Sequence, residues 1–153
     1  MNKRNPIVLL TFALLPFVYL GSIYESLPAR IPLHFDWLGN PDAWGPKWVL
    51  WLVPLTGVFL ALLTNTAIKL GAPEGDVPAK HRTVGLITQG FISIMLCYII
   101  YGTQAGGFNG LGGISILLGL LLGALGNYLP VLRPNPFIGI RIPPTMRDDE
   151  KWR

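Results

Sequence analysis

Charge is scarce in this chain. Asp, Glu, Lys and Arg together make up 13% of its 153 residues, about half the share of a soluble domain. With 51% hydrophobic residues and a mean hydropathy of +0.48, that scarcity argues against a soluble globular enzyme. Apolar content this high also excludes intrinsic disorder. Cysteine is almost missing. The single Cys97 rules out an intramolecular disulfide and a cysteine-based zinc site, and an inert thiol within the membrane is expected. Catalytic signatures are missing too. There is no G-x-S-x-G, no P-loop, no dinucleotide-binding glycine pattern and no H-E-x-x-H. No enzymatic activity, metal or cofactor is therefore expected.

The charge that is present has a pattern. The formal net charge of +4 forms no basic stripe; lysines and arginines instead flank apolar runs. That placement favours a membrane over a nucleic acid as partner. Residues 5–24 and 48–68 carry no charge, and neither does any position from 83 to 132. About 20 apolar residues cross the hydrocarbon core, so the last run is too long for one span. The glycine-rich stretch Ala105 to Gly113 divides it. Four transmembrane helices are expected, near 5–24, 48–68, 84–104 and 112–132, in an all-α bundle. The first span is longer than a secretion-signal core and lacks a cleavage site, so it is expected to be retained.

Ten of the twelve basic residues fall before the first span, between the second and third, or after the fourth. Only Arg30 and Lys47 lie on the other side. Short basic loops stay in the cytoplasm, which places both termini inside and residues 25–47 outside, in a multi-pass protein of a cytoplasmic membrane. Tyr19, Tyr24, Trp48, Trp51, Tyr98 and Tyr101 fall at the outer ends of the helices, at headgroup level.

The outer connection 25–47 reads as ordered. Ile31, Leu33, Phe35 and Trp37 alternate with Pro32, His34 and Asp36, as in a short extended segment that Pro32 confines to an edge. Gly39 to Asp42 reads as a turn. His34 and Asp36 either hydrogen-bond to fix the loop or orient a proton or a metal. Asp42 and Lys47 are positioned for an ion pair, and Trp44 lies between them. These five, His34, Asp36, Asp42, Trp44 and Lys47, are the candidate outer ligand-binding residues.

The inner tail 133–153 is proline-rich. Five prolines between Pro130 and Pro144 forbid a helix there. Phe137 to Ile142 alternates, and Arg141 stands within that apolar strip, placed to snorkel to lipid phosphate or to bind a headgroup or a carboxylate. Thr145, three residues before Asp148, reads as the start of a short terminal helix carrying Trp152.

Within the spans, Asn65, Gln89 and Asn127 are expected to hydrogen-bond across helices. No charge sits at mid-bilayer, which argues against a proton-coupled transporter. Pro16 and Pro54 are expected to kink their helices and open a cavity. Gly119 and Gly123 form a G-x-x-x-G spacing that permits close packing, within the bundle or in a homo-oligomer.

Two segments resemble known families. Leu27, Pro28, Ile31, Pro32, His34, Gly39, Pro41, Asp42, Gly45, Lys47 and then Pro54 are similar to a bacterial membrane domain of unknown function, number 1648. Asn127, Pro130, Asn135, Gly139, Ile140, Arg141, Pro143, Thr145 and Trp152 resemble the signature of the SdpI/YhfL family. Two tail positions depart from it: Ile142 and Pro144 stand where that family often has Thr and Trp. The second resemblance implies immunity to a secreted membrane-active toxic peptide, with relay of its presence to a cytoplasmic repressor bound at the inner tail. Longer members continue with further spans, so a chain of this length is expected to lack part of that signalling apparatus. The readings left open beside it are an outer-surface membrane enzyme using His34, Asp36 and Asp42, and a small transporter or accessory subunit.

Overall fold

The computed structural model describes residues 4–70, 79–108 and 112–128. Four helices carry most of them: α1 (Arg4–Ile23), α2 (Leu52–Leu70), α3 (Ala79–Ala105) and α4 (Gly112–Tyr128). Between α1 and α2 the chain forms a β-hairpin, β1 (Arg30–Phe35) and β2 (Pro41–Pro46), flanked by short 3-10 turns at Tyr24–Ser26 and Lys47–Trp51. The protein is thus mostly helical rather than all-helical.

Three stretches are long and apolar enough to cross a membrane: Ile7–Ser26, Lys47–Ala67 and Arg82–Ala105. They match the first three expected spans to within a few residues. The fourth is shorter as described. Its apolar helix covers Gly112–Ala124, and residues 129–132 of the expected span lie outside the described residues. Leu14, Val18, Phe59, Leu62, Ile94, Ile116 and Leu120 are exposed. Outward-facing apolar side chains on several helices leave no polar face for water, and they point to a membrane protein.

α1, α2 and α3 pack against one another, and α4 packs chiefly on α3. Two layers hold the three-helix unit. One lies under the hairpin, where Leu20, Leu27, Ile31, Leu50 and Ile100 form a buried cluster with Tyr24, Trp51 and Val53 around it. The other lies deeper and is built from small and polar residues. Ala13, Pro16, Gly57, Ala61, Gln89 and Ser93 are all buried. A side chain on Gly57 would meet Leu96 Cδ1 at 2.8 Å, so α2 and α3 touch closely there.

Pro16 explains one polar contact in this layer. Proline has no N–H, so the carbonyl four residues earlier, that of Phe12, loses its helical donor. The Ser93 hydroxyl of α3 lies 2.7 Å from that carbonyl and donates to it, with the Gln89 carbonyl 3.0 Å away as a second acceptor. A neighbouring helix thus supplies what the proline removed, as hydrocarbon surroundings require. Gln89 Nε2 donates to the Gly57 carbonyl at 3.4 Å, whereas Gln89 Oε1 has no donor among the described residues. Pro54 falls at the third residue of α2, directly after the 3-10 turn Lys47–Trp51, an early position where a helix tolerates proline best.

Candidate functional site

The candidate site is the hairpin together with the helix ends beneath it. Prolines shape its ladder. β1 and β2 pair antiparallel, with Ile31 opposite Gly45, Pro32 opposite Trp44, His34 opposite Ala43 and Phe35 opposite Pro41. The register shifts twice, leaving Leu33 as an extra residue on β1 and Asp42 as an extra residue on β2. Pro32 and Pro41 cannot donate to the ladder, and bulges accommodate such positions. The simple alternation expected for 31–37 therefore breaks. Ile31 is fully buried and Phe35 half-buried, but the bulged Leu33 is exposed and Trp37 lies beyond the strand, 75% exposed.

The bulges also decide which polar residues meet. His34 Nδ1 lies 2.6 Å from Asp42 Oδ1 across the strands. Asp42 is therefore the partner of His34, and the expected alternatives, His34 with Asp36 and Asp42 with Lys47, do not form. Asp36 is turned inward on its own backbone. Its Oδ1 accepts from the N–H groups of Leu38 at 2.9 Å and Asn40 at 2.8 Å, and its Oδ2 accepts from Asn40 Nδ2 at 3.2 Å. The Asp36 N–H donates to the Asn40 carbonyl and the Gly39 N–H to the Asp36 carbonyl, with Gly39 at φ 90°. The turn thus spans Asp36 to Asn40, earlier than expected, because an aspartate caps its own turn so effectively.

These bonds favour the ionised carboxylate. The backbone N–H of Asn40 above all, with the Asn40 side chain and the Leu38 and Gly39 N–H groups, holds the Asp36 carboxyl below its ordinary value of 3.8. The ionised form therefore stabilises the turn above that pH, and the contribution is lost as pH falls through the lowered folded value. Hydrogen exchange at the Leu38 and Asn40 amides is expected to lose protection as pH falls below 3.8 and through the lowered folded value. Asp36→Asn, which keeps an acceptor but cannot titrate, should show a flat profile; equal slopes in both proteins would refute this account.

Lys47 closes the base of the hairpin. Its N–H donates to the Ala29 carbonyl, and its Nζ donates to the Tyr24 carbonyl at 3.2 Å while lying 4.6 Å from the Tyr24 ring centroid. The ammonium thus caps the last carbonyls after α1, where a cation is favoured. Trp44 is exposed beside Pro32, and Trp48 is exposed below it. Both suit headgroup level.

A clasp from the connection after α3 holds the hairpin tip. α3 ends in a Schellman arrangement: Gly106 at φ 74° donates to the Thr103 carbonyl, and Gly107 donates to the Gly102 carbonyl. The turn delivers Phe108, whose N–H donates to the Gly39 carbonyl at 3.0 Å. The Phe108 ring packs edge-on to Phe35, with centroids 4.7 Å apart, and against Tyr98 at 5.2 Å. The sequence hides this role, because a lone phenylalanine among glycines reads as slack loop.

Between hairpin and helices lies a groove of about 520 Å³, within the range of small-ligand pockets. Pro32, Leu33 and Phe35 line it from the hairpin, Val53 and Thr56 from α2, and Leu96, Ile99 and Thr103 from α3, with Phe108 and Ile114 beyond. His34, Asp36 and Gly39 also line it. Apolar walls dominate; Thr56 and Thr103 are the polar residues on the helices, and the titratable His34 and Asp36 lie on the hairpin side. Among the described residues no three His, Cys, Asp or Glu side chains cluster to hold a metal.

The inner candidates fare differently. Asn127 lies exposed near the end of α4. Pro130, Asn135, Gly139, Arg141, Thr145 and Trp152 lie outside the described residues. Side chains built on Gly119 and Gly123 would meet nothing within 4 Å, so this G-x-x-x-G face is not used within the described bundle.

Residues 11–58 match the family described as Domain of unknown function (DUF1648). The matched stretch begins in α1, takes in the whole hairpin and ends two turns into α2. No curated protein and no solved structure matches the chain.

Proposed function

We propose that this chain is a multi-pass immunity and sensor protein of the bacterial cytoplasmic membrane, of the SdpI type, which binds a secreted membrane-active peptide in the groove beneath its hairpin. The observation that carries the reading is the groove itself. It is walled by α2 and α3 at the end where they meet the hairpin, and its lining is apolar. A ligand already dissolved in the outer leaflet enters such a site without crossing water. Both termini are cytoplasmic in this reading, as the basic loops require, and the hairpin faces outward. The inner tail, through Arg141 and its neighbours, meets a cytoplasmic repressor. Lipid surrounds the spans, and the unused face of Gly119 and Gly123 pairs two copies.

The clasp gives the reading a physical route. The hairpin tip is bonded to the connection that leads into α4, and α4 leads to the tail. A survival assay tests the function. The chain is expressed in a bacterium sensitive to an SDP-type membrane-active peptide, with membrane levels checked. Survival above the empty-vector control is the expected result, and equal killing at matched expression would refute immunity to that peptide.

A second reading is favoured by one contact. The 2.6 Å His34–Asp42 pair is the arrangement by which a carboxylate orients an imidazole for proton transfer. An outer-surface enzyme would lose turnover with His34→Ala while keeping its fold.

A further inference from the structure

We infer that the groove selects peptides in which an apolar segment carries a cation, and that Asp36 is the residue that reads that cation. The inference rests on the binding role proposed above and names the ligand class for the same site. Its basis is a mismatch of charge around the groove. Among the described residues Asp36 has only backbone and amide donors as partners and no basic side chain; His34, two residues away, hydrogen-bonds Asp42 instead. Lys47, the nearest lysine in sequence, is committed to the Tyr24 carbonyl and ring. The Asp36 carboxylate thus has neutral hydrogen-bond donors but no cationic partner at the edge of an apolar groove that it helps to line.

Its hydrogen bonds leave room for a ligand. Oδ1 accepts two backbone N–H groups, whereas Oδ2 accepts only the Asn40 side chain, at 3.2 Å. A carboxylate oxygen has a further lone pair to offer an ammonium or guanidinium. The same charge discriminates against the commonest competitor. A phospholipid that placed an acyl chain in the groove would bring its phosphate to headgroup level beside Asp36, where like charges repel. An apolar peptide segment with a lysine or arginine at its end meets attraction instead.

The test uses the full chain in phosphatidylcholine nanodiscs. The probes are two fluorescent hexapeptides of alternating leucine and alanine, one ending in a single lysine and the other in a single glutamate. Binding is read by anisotropy after subtracting empty nanodiscs. The lysine peptide is expected to bind about threefold more tightly or better, as for a partly exposed charge pair. Asp36→Asn keeps the turn's acceptor and should bring the two peptides to near equality. Thr56→Trp, which fills the groove from α2, should abolish binding of both. Equal affinities in the parent, no binding of either peptide, or a preference that survives Asp36→Asn would overturn the inference. If Asp36→Asn fails to fold, salt decides: a lysine preference undiminished at about 1 M salt, where the screening length is about 3 Å, overturns it. Lost selectivity with protection intact in the survival assay would remove this inference alone. Selective binding without protection would remove the immunity role and leave the ligand class standing.

Discussion

Replacing Ile31 by alanine is expected to cost about 2–4 kcal/mol, as for other buried isoleucines truncated in a core, and to release the hairpin from the bundle. Ile31 is fully buried and belongs to the cluster formed with Leu20, Leu27, Leu50 and Ile100. It is the hairpin residue in that cluster. Its burial is worth more than that of a residue inside the spans. Lipid is as apolar as a side chain, so packing within the bilayer gains little from the hydrophobic effect. The hairpin lies beyond the span, so Ile31 exchanges water for the core and gains the full transfer term. Leu33, two residues on, is the control. It is 42% exposed, and Leu33→Ala should cost under about 1 kcal/mol. Hydrogen exchange across β1 and β2 and chemical unfolding in micelles would separate the two variants. Equal losses would show that the hairpin is not anchored through Ile31.

The second large effect concerns Ser93. Ser93→Ala is expected to cost about 1–2 kcal/mol, because it strands the Phe12 carbonyl in a buried site. That cost should depend on Pro16. In a Pro16→Ala background the helix regains its own donor to Phe12, and Ser93→Ala should then cost about 0.5 kcal/mol or less. A double-mutant cycle cancels the packing lost at Pro16, leaving the coupling between the two positions. A coupling of about 1 kcal/mol is expected. Additive losses would show that Ser93 acts through something other than the proline's missing N–H.

Much of the architecture was legible because hydrocarbon imposes simple rules. A span must be long and uncharged, and the uncharged runs at 5–24, 48–68 and 84–104 correspond to α1, α2 and α3. Pro16 was legible as a perturbation, but its consequence was not. The carbonyl it strands is four residues away on the same helix, whereas the donor that answers it is on α3, and no local pattern joins them. The hairpin was half legible. Ile31 to Phe35 carried a strand signal, while β2 did not, since Pro41, Gly45 and Pro46 read as turn residues. Alternation also failed to predict the polar pairing. Bulges at Leu33 and Asp42 brought His34 to Asp42, and the turn captured Asp36, because a proline-containing ladder cannot keep regular register. Phe108 was invisible as a site residue, because its partner Gly39 is distant in sequence and the contact is made by its backbone.

If the proposed immunity role is right, protection depends on the groove beneath the hairpin, and two tryptophan substitutions on α2 separate that groove from the rest of the helix. The survival assay is run with the parent, with Thr56→Trp and with Leu63→Trp at matched membrane levels. Thr56 lines the groove, whereas Leu63 lies a further two turns along α2, is 49% exposed and does not line it. Loss of protection in Thr56→Trp with full protection in Leu63→Trp is the predicted result. Full protection by Thr56→Trp in a cell that the parent also protects would contradict the account.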